Sequence, residues 1–475
     1  MSKYRTTIGI EIHCELKTGT KMFSGAPVKF GETANTCTSV VDLAMPGTLP
    51  CVNREAVKLA IKACTGLHCE IDPLVKFDRK NYYYSDLPKG FQITQQFHPI
   101  GRDGYVEIET EDGERKKIRI ERIHMEEDTA KQFHRDSGTY IDFNRAGVPL
   151  VEIVSRPDMH SAQEAAAYVD TLRQILLYLN VSDVKMEEGS MRCDVNISLS
   201  ADDTLGTKTE IKNLNSIANV QKAVAAEIER QSRILDEGGQ VEQATRRYDE
   251  SQKTTVLMRK KEGTVDYKYF PEPNIFPIQL DPAWIRDIQE NMEELPGQRR
   301  ARFMKEYGLG EYDAQVLVAD PAMADYYEAA VKEAKDAKKT ANWVMGDLTA
   351  WLNKENRTFV DPGLQPAYLA QLVNLVSDGS ISGKQAKTVF EEMMASGREP
   401  SVIVEEKGMK QVSDDGAILA LVTEVLDANP KSIEDYKAGK DRAIGFLVGQ
   451  VMKKSRGTAN PKRTNELIRE ELAKR

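Results

Sequence analysis

The stretch RIHMEED, from Arg122 to Asp128, holds one histidine and three adjacent carboxylates at the end of an alternating run, KKIRIERI. A hairpin turn at Asp112-Gly113 is predicted before it, and the alternation breaks near Glu121, where a bulge would fit. Adjacent acids repel one another and add nothing to a core, so the stretch predicts either a solvated strand end or a cation site. Carboxylate oxygens with an imidazole suit Mg²⁺ or Mn²⁺ better than zinc.

Two other segments alternate as half-buried strands do, and their polar faces carry ligand-type residues. In TIGIEIHCEL the isoleucines share one face and Glu11 and His13 share the other, whereas in SMRCDVNISL the polar face carries Arg192 and Asp194. A solvated face explains either strand alone about equally well. If both strands share a sheet with RIHMEED, the following candidate metal ligands converge: Glu11, His13, Glu126, Glu127 and Asp194.

The stretch DRKNYYYSDLPKGFQITQ, from Asp78 to Gln95, combines basic residues with three consecutive tyrosines. Three adjacent tyrosines cannot all face one core from a strand, so at least one is predicted to point toward a cleft or a partner. Arg79 and Lys80 are candidates for binding phosphate or carboxylate, and a surface loop with core aromatics is the alternative. The chain has no GxxxxGK[ST] or GxGxxG motif, so any use of ATP would need neither a P-loop nor a Rossmann site.

The segment from Gly439 to Arg463 carries seven bases against one acid, although the whole chain has a net charge of −9. This local charge predicts contacts to a phosphate backbone, and a solvated surface is the alternative. The predicted tRNA-binding residues are Lys453, Lys454, Arg456, Lys462 and Arg463. The negative net charge excludes a uniformly basic nucleic-acid binder but not such a patch.

Length and composition indicate a cytoplasmic protein of several domains. The chain has 475 residues, which is too many for one ordinary core. Its six cysteines form no CxxC pair and are expected to be reduced thiols. No apolar run approaches the roughly 18 residues that a membrane span requires, and the N-terminus lacks the apolar core of a signal peptide.

Strand patterns and turns dominate the first 290 or so residues, with two helical insertions. Ser161 is predicted to cap the first helix, which runs to Leu179, and Ser216 is predicted to cap the second, which stops at Gly238-Gly239. From about residue 295 the pattern changes to a series of short helices. The sequence therefore predicts an α+β protein whose C-terminal part is all-α.

These tracts together resemble the GatB family, the B subunits of aspartyl/glutamyl-tRNA amidotransferases of the GatCAB type. The resemblance covers essentially the whole chain, and its last tract is similar to the family's YqeY-like end domain. The matching tracts, in family order, are IGIEIHCELKT, DRKNYYYSDLPKGFQITQ, RIHMEEDTAK, DFNRAGVPLVEIVSRPDM, VKMEEGSMRCDVNISL, EIKNLNS, MRKKEGTVDYKYFPEPN and IGFLVGQVMKKSRGTANP.

The resemblance implies three domains: a catalytic cradle built on a mixed or antiparallel sheet over 1–294, an all-α helical domain over 295–408, and a small YqeY-like tRNA-binding tail over 409–475. It implies a ligase that uses ATP and Mg²⁺ to phosphorylate the side-chain carboxylate of Glu-tRNA(Gln), Asp-tRNA(Asn) or both. Ammonia then displaces the phosphate, which leaves Gln-tRNA or Asn-tRNA.

Family positions are carried over residue by residue. His13, Glu127 and Asp194 match the family's metal site, with Glu11 and Glu126 as near neighbours. Lys80 resembles a position on the family's ammonia route. The predicted catalytic residues are Glu127, Asp194 and Lys80. The predicted contacts to ATP or substrate are Arg79, Lys89 and Arg145.

The chain departs from the family at one site, where many members carry the motifs CGC and CPVC and bind a structural zinc ion. Here the sequence has SGA at Ser24 to Ala26 and CTSV at Cys37 to Val40, so no zinc is expected. The chain also lacks an amidase signature and an evident Cys-His glutaminase motif. Ammonia is therefore expected from a GatA-type amidase subunit, with a GatC-type small subunit completing a heterotrimer that acts on misacylated tRNA.

Two further functions are open on the sequence. A tRNA-binding scaffold would account for the basic tail and for the missing ATP motif. A metal-dependent nuclease would use the same acids. A scaffold gains nothing from five clustered ligand-type residues, and the cluster therefore favours phosphoryl transfer.

Overall fold

The computed structural model describes residues 3–260, 266–409, 415–437, 442–455 and 459–475. The chain divides into two compact units, Met1–Pro296 and Gly297–Arg475. The first unit combines sheets with helices and the second is helical, which confirms the predicted α+β class. The further division of the helical region at residues 408 and 409 stays a prediction.

The strands belong to the first unit. They are β1 Arg5–Glu15, β2 Glu70–Ile71, β3 Leu74–Val75, β4 Asp78–Asn81, β5 Phe91–Thr94, β6 Gly101–Glu109, β7 Arg115–Glu127, β8 Lys131–Arg135, β9 Gly138–Asp142, β10 Pro149–Ser155, β11 Met191–Ser200, β12 Thr209–Leu214, β13 Ala244–Asp249, β14 Thr254–Lys260, β15 Phe270–Pro271 and β16 Ile278–Gln279. Its helices are α1 Arg54–Gly66, α2 Ala162–Tyr178, α3 Ile217–Asp236 and α4 Pro282–Glu290.

Within the described residues, nine strands form one large sheet in the order β14-β13-β12-β11-β1-β10-β7-β6-β2. Among these nine strands only the pair β12 and β13 is parallel. Three small sheets accompany it, with the orders β15-β4-β5, β16-β3 and β8-β9. The strand β1 therefore lies at the centre of the large sheet, between β10 and β11, which come more than a hundred residues later in the chain.

One face of the large sheet is the hydrophobic core of the unit. The isoleucines of β1, including Ile8 and Ile12, are fully buried there, and helices α2 and α3 pack against this face. Ser161 accepts a hydrogen bond from the backbone N–H of Glu164, and Ser216 caps α3 in the same way, so both predicted N-caps are confirmed. The opposite face carries the polar residues of the same strands.

The β6–β7 hairpin shows the predicted turn and bulge. Gly113 has a φ of +77°, in the left-handed region that glycine tolerates, and its N–H donates to the carbonyl of Thr110. Along β7 the pairing with β10 jumps from Arg122 to Ile120, so Glu121 is an extra residue in the ladder. The bulge shifts the in-and-out alternation of side chains along β7 by one residue. It therefore determines which of the acids after Glu121 point to the polar face of the sheet.

The second unit is a succession of helices. They are α5 Pro296–Tyr307, α6 Glu311–Val318, α7 Pro321–Val331, α8 Ala337–Trp343, a π-helical turn Val344–Leu348, α9 Thr349–Lys354, α10 Pro366–Ser377, α11 Gly383–Ser396, α12 Pro400–Glu406, α13 Asp415–Ala428, α14 Pro430–Lys437, α15 Arg442–Lys454 and α16 Pro461–Lys474. The last four share a small core that includes Ile418, Leu447 and Ile468. No helix in the described part of the chain has the length and apolar character that crossing a bilayer requires.

The segment at the altered cysteine motifs is organised by a buried ion pair. Lys21 and Asp42 are buried, and Nζ and Oδ2 lie 3.3 Å apart. Asp42 also accepts hydrogen bonds from the Ser24 hydroxyl and the Ser39 N–H, each at 2.8 Å. Cys37 is buried nearby in sequence, and its N–H donates to Asn144. This charged network, together with packing, holds the segment in which many family members carry the zinc-binding cysteines.

Candidate functional site

Four side chains form a row across the polar face of the large sheet. In the strand register His13 lies opposite Arg192 on one side and opposite Glu152 on the other, and Glu152 lies opposite His124. Directly opposite residues of antiparallel strands point to the same face. Across strands β11, β1, β10 and β7 the row therefore reads Arg192, His13, Glu152 and His124, with the carboxylate between two histidines. The sequence prediction that His13 and Arg192 lie on polar faces is confirmed.

Glu126 joins this row from the end of β7, two residues beyond His124 and on the same face. The imidazole Nε2 of His13 lies 3.5 Å from Glu152 Oε2 and 3.8 Å from Glu126 Oε1. The Nε2 of His124 lies 3.1 Å from Glu152 and 3.7 Å from Glu126. One ligand atom each from His13, Glu126 and Glu152 lies within 4.8 Å of the other two. These three residues are called the metal-type cluster below.

The charges of this cluster stabilise one another. Burial lowers the pKa of His124, but Glu152 and Glu126 more than offset this effect and raise it to about 9. Burial raises the pKa of Glu152, and the two histidines reverse that effect and hold it well below its usual value. The Nδ1 atom of His124 is buried without a hydrogen-bond partner among the described residues. The acids are thus ionised and surrounded by positive charge.

The donor set of His13, Glu126 and Glu152 fits a hard divalent cation. Two carboxylates and one imidazole are the ligand types expected for Mg²⁺ or Mn²⁺, and all three come from rigid central strands. The cluster already places positive charge against the acids through the histidines, and a cation would supply the same compensation. Of the five predicted metal ligands, the structure brings His13 and Glu126 into this group.

Glu127 has different partners from Glu126, because successive residues of a strand face opposite sides. Both of its carboxylate oxygens lie 2.5 Å from Lys89 Nζ, and Oε1 also accepts from the N–H of Ile93 at 2.9 Å. The side chain of Glu127 is therefore directed to strand β5 of the small sheet. Lys89, a predicted contact to ATP or substrate, is the counterion of Glu127 in this arrangement.

Glu11 and Asp194 lie opposite each other in the register and form a second acidic group. Asp194 Oδ2 is 2.5 Å from Lys212 Nζ, which is also 3.0 Å from Glu210, and Glu11 accepts from Asn196 at 2.9 Å. Burial raises the pKa of Glu11, and the negative charge of Glu152 raises it further. The two acidic groups are therefore electrostatic neighbours on one face.

Tyrosines flank two strands of the small sheet, with Tyr82 directly after β4 and Tyr269 directly before β15. Lys80 Nζ lies 5.0 Å from the ring centre of Tyr267 and 5.8 Å from that of Tyr82. The pKa of Tyr269 is raised to about 12, first by burial and then by the neighbouring Tyr267 and Glu152. The predicted catalytic residue Lys80 therefore lies beside two tyrosine rings.

The other predicted contacts to ATP or substrate are held by carboxylates. Arg79 donates two hydrogen bonds to Glu272, at 2.6 and 3.0 Å, and its guanidinium lies 3.9 Å from the ring centre of Phe91. Arg145 Nε lies 3.4 Å from Asp128, which also binds Arg192 at 2.6 Å. Both arginines thus lie against carboxylates of the chain itself.

The predicted tRNA-binding residues lie at a helix end and a helix start. Lys453 and Lys454 form part of the last turn of α15, and Lys454 pairs with Glu424. Lys462 and Arg463 lie in the first turn of α16, where Arg463 pairs with Glu466 at 3.0 Å. Arg456 lies outside the described residues.

Two functional-type residues, Glu152 and Glu210, were missed in the sequence. Glu152 is the one charged residue in PLVEIVS, and Glu210 lies in the strand TEIKNL together with Lys212. A single acid inside an otherwise apolar strand costs free energy unless it has a partner, and this was the available signal for Glu152. Both acids could have been found by applying the period-two reading to these two segments as well.

Comparison with known proteins places these residues within domains of known families. Residues 6–286 match the family model described as the GatB/GatE catalytic domain, and residues 325–472 match that of the GatB domain. A relative from Bacillus licheniformis, named as the B subunit of an aspartyl/glutamyl-tRNA(Asn/Gln) amidotransferase, is 52% identical over 475 residues, covering 99% of this chain and 100% of the relative. Relatives of the same name from Bacillus thuringiensis and Bacillus mycoides are 51% identical over 472 residues, with 99% of each chain covered.

Proposed function

Because this chain belongs to the GatB family of amidotransferase B subunits, we propose that it converts misacylated Glu-tRNA(Gln), Asp-tRNA(Asn) or both into Gln-tRNA and Asn-tRNA. The amide is formed in two stages, with ATP-dependent phosphorylation of the side-chain carboxylate before attack by ammonia. The observation that carries this proposal is the cluster of His13, Glu126 and Glu152 on the polar face of the large sheet.

Phosphorylation is needed because a carboxylate does not react with ammonia at a useful rate. Its oxygen is a poor leaving group, whereas phosphate leaves readily from an acyl phosphate. A bound Mg²⁺ lowers the charge repulsion between the carboxylate and the transferred phosphoryl group. The chain's own contribution is to hold His13, Glu126 and Glu152 in fixed positions on neighbouring central strands, so that the ligand atoms are arranged before a cation binds.

The second acidic group is assigned to the same reaction. Asp194 and Glu11 lie beside the cluster, and Lys212 balances their charge together with that of Glu210. We assign Asp194 a catalytic role: its carboxylate positions Lys212 and would help to hold a bound Mg²⁺ ion. Glu127 holds Lys89 in place through the ion pair between them. Lys80, which lies beside the Tyr267 ring, is assigned to the path of ammonia.

Ammonia is supplied by a second protein in this proposal. The described cysteines are all free thiols, and burial raises the pKa of Cys14 and Cys193, which disfavours a thiolate nucleophile in the cradle. A GatA-type amidase subunit therefore releases ammonia from glutamine, and a GatC-type small subunit completes the complex. The basic tail, in the domain over 409–475, binds the tRNA.

The test uses the complex of this chain with its A and C partners, Glu-tRNA(Gln), Mg²⁺ and ATP labelled at the γ-phosphate, without glutamine or ammonia. Wild-type complex is expected to release or transfer the label only when the charged tRNA is present. Asp194→Asn should abolish this turnover and leave tRNA affinity nearly unchanged, whereas Asp203→Asn, at an exposed aspartate beyond the same strand, should retain it.

Each competing function predicts a different result in this assay. Equal loss of turnover and tRNA affinity in Asp194→Asn would contradict a catalytic role. Full turnover in that variant would favour the tRNA-binding scaffold. Cleavage of tRNA by the complex with Mg²⁺ alone would identify a nuclease instead.

A further inference from the structure

The hairpin β8–β9 carries two exposed aromatic rings side by side. Phe133 lies directly opposite Tyr140 in the register, so both rings occupy the same face of the two-stranded ribbon. Phe133 is 37% exposed and Tyr140 is 50% exposed. The Tyr140 hydroxyl lies 3.0 Å from the Ser137 hydroxyl, which fixes the ring at the tip of the hairpin. A cross-strand aromatic pair stabilises such a ribbon, and its exposed ring faces also offer an apolar surface to a ligand.

The same face carries two cations. Lys131 Nζ lies 5.1 Å from the ring centre of Phe133, and the Arg135 guanidinium lies 5.4 Å from that of Tyr140. In the described part of the chain neither cation lies within salt-bridge distance of a carboxylate. Asp142, opposite Lys131 in the register, instead accepts hydrogen bonds from the backbone N–H groups of Asn35 and Asn144. The face therefore presents positive charge beside two flat apolar surfaces.

In the chain, the hairpin directly follows the strand that carries Glu126 of the metal-type cluster. It connects β7, which ends with Glu126 and Glu127, to β10, which carries Glu152. Its base is held by Arg145, which donates to the carbonyls of Thr129 and Ala130. These contacts join the two segments at the base of the hairpin, one leading from β7 and the other leading to β10.

A second pair of exposed rings lies in the loop that contacts the hairpin base. The N–H of Ala130 donates to the carbonyl of Asp86, in the connection between β4 and β5. Tyr83 and Tyr84, in the same connection, are 91% and 62% exposed. Two of the three consecutive tyrosines are thus exposed, and the prediction that at least one of them points toward a cleft or a partner stays a prediction.

Paired rings flanked by cations are typical of surfaces that bind unpaired nucleotides. Every base has a flat face that stacks on an aromatic ring, and lysine or arginine beside the ring contacts the phosphate. We propose that the face formed by Lys131, Phe133, Arg135 and Tyr140 binds the unpaired 3′ end of the tRNA and directs its aminoacyl group to the metal-type cluster. This inference rests on the proposed function, because it takes the substrate of that reaction as the ligand.

The test is a cycle of two protein forms and two RNA forms, using the assembled complex with its A and C partners. The protein forms are wild type and Phe133→Leu/Tyr140→Leu, which keeps apolar side chains but removes both rings. The RNA forms are uncharged tRNA(Gln) and the same tRNA without its unpaired 3′ nucleotides. Loss of the rings should weaken binding of the full-length tRNA by about tenfold and should leave binding of the shortened tRNA unchanged.

Two control variants accompany this cycle. Phe133→Tyr/Tyr140→Phe keeps both rings and should bind full-length tRNA as wild type does. Phe276→Leu/Tyr312→Leu removes one phenylalanine and one tyrosine that are exposed elsewhere, and it should also bind normally.

Three results would overturn the inference. Equal weakening with both RNA forms would place the contact on another part of the tRNA. Unchanged binding in the leucine variant would show that the rings have no role in binding. Loss of the A or C partner from the purified leucine variant would identify the hairpin as a protein interface. A wild-type complex that binds tRNA but forms no amide product would instead contradict the proposed function, and the inference would fall with it.

Discussion

Glu152 lies directly opposite His13 on the neighbouring central strand, and its Oε2 is 3.5 Å from the imidazole Nε2. The two residues are far apart in the chain and come together because β1 pairs with β10. With Glu126 they form the group that best fits a divalent cation. This relationship makes Glu152, rather than Glu127, the first acid to test as a metal ligand.

Glu152→Gln is expected to weaken Mn²⁺ binding by at least about tenfold, because it removes one of two carboxylate ligands while keeping the side-chain shape. The tRNA-dependent release of phosphate from ATP should fall with it. Titration of the complex with Mn²⁺, followed by electron paramagnetic resonance, measures the affinity directly. Glu187→Gln, at an exposed glutamate ahead of β11, is the control, and equal affinity in both variants would show that Glu152 does not bind the metal.

Glu127→Gln is expected to lower the free energy of unfolding and to leave the affinity for Mn²⁺ nearly unchanged. The carboxylate is buried and lies 2.5 Å from Lys89, so the change leaves a largely buried ammonium without its counterion. Breaking a buried pair in this way costs about 3 kcal/mol. Denaturation midpoints in urea measure the loss, and Lys89→Met/Glu127→Gln should recover part of it. A Mn²⁺ affinity that falls as far as in Glu152→Gln would return Glu127 to the metal site.

Reversal of Lys453, Lys454 and Arg456 to glutamate is expected to weaken tRNA binding and to reduce its dependence on salt. Each phosphate contact contributes slightly less than one unit to the slope of log K against log salt, so the slope should fall by about two to three units. Lys454 already pairs with Glu424 and will contribute the least. Binding measured at several salt concentrations gives the slope.

A control with the same change in charge accompanies this reversal. Lys332, Lys354 and Lys384 are exposed bases of the second unit outside the basic segment, and their reversal to glutamate changes the net charge equally. Equal slopes in the two triple variants would mean that the basic segment is an ordinary solvated surface.

Asp42→Asn is expected to destabilise the segment around the altered cysteine motifs. Lys21 is fully buried against Asp42, and burial lowers the pKa of its ammonium, so the loss of the partner leaves an unfavourable charge. The expected cost is about 3 to 5 kcal/mol. Thermal unfolding of this variant and of Glu32→Gln, an exposed change in the same segment, measures it. A zinc-selective chelator should leave the wild-type melting temperature unchanged, and a fall would reveal a metal in place of the ion pair.

The second unit is expected to lose stability in acid through Glu328. Burial raises the pKa of this carboxyl, but hydrogen bonds from Arg302 and Arg299 reverse the effect and lower it to about 2. Because the folded-state pKa is depressed, the contribution to stability is complete above the unfolded pKa of about 4.3 and disappears as the pH falls toward 2. The stability difference between wild type and Glu328→Gln should shrink over this window. Urea unfolding at pH 3, 4, 5 and 7 measures it; a constant difference, or an equal effect in the exposed control Glu355→Gln, would contradict the assignment.

Local features were predictable because they depend on neighbours along the chain. The period of two places Glu11 with His13 and Arg192 with Asp194 in any strand, whatever its partners. Ser161 and Ser216 cap helices because a serine oxygen can reach an N–H three residues later, a distance that the helix itself sets. The change from strands to short helices near residue 295 could be predicted as well, because the spacing of apolar residues along the chain changes there.

The metal-type cluster needed the tertiary structure, because the pairing of distant strands is not contained in any local period. Once β1 lies between β10 and β11, His13 acquires both Glu152 and Arg192 as neighbours. The bulge at Glu121 sets which acid at the end of β7 faces the histidines. As a result Glu126 lies beside the histidines, and Glu127 contacts Lys89. The sequence by itself determined which residue types were available for binding a cation and which faces they occupied. Only the order of the strands decided which of them meet, since side chains on one sheet interact across strands at distances of about 5 Å.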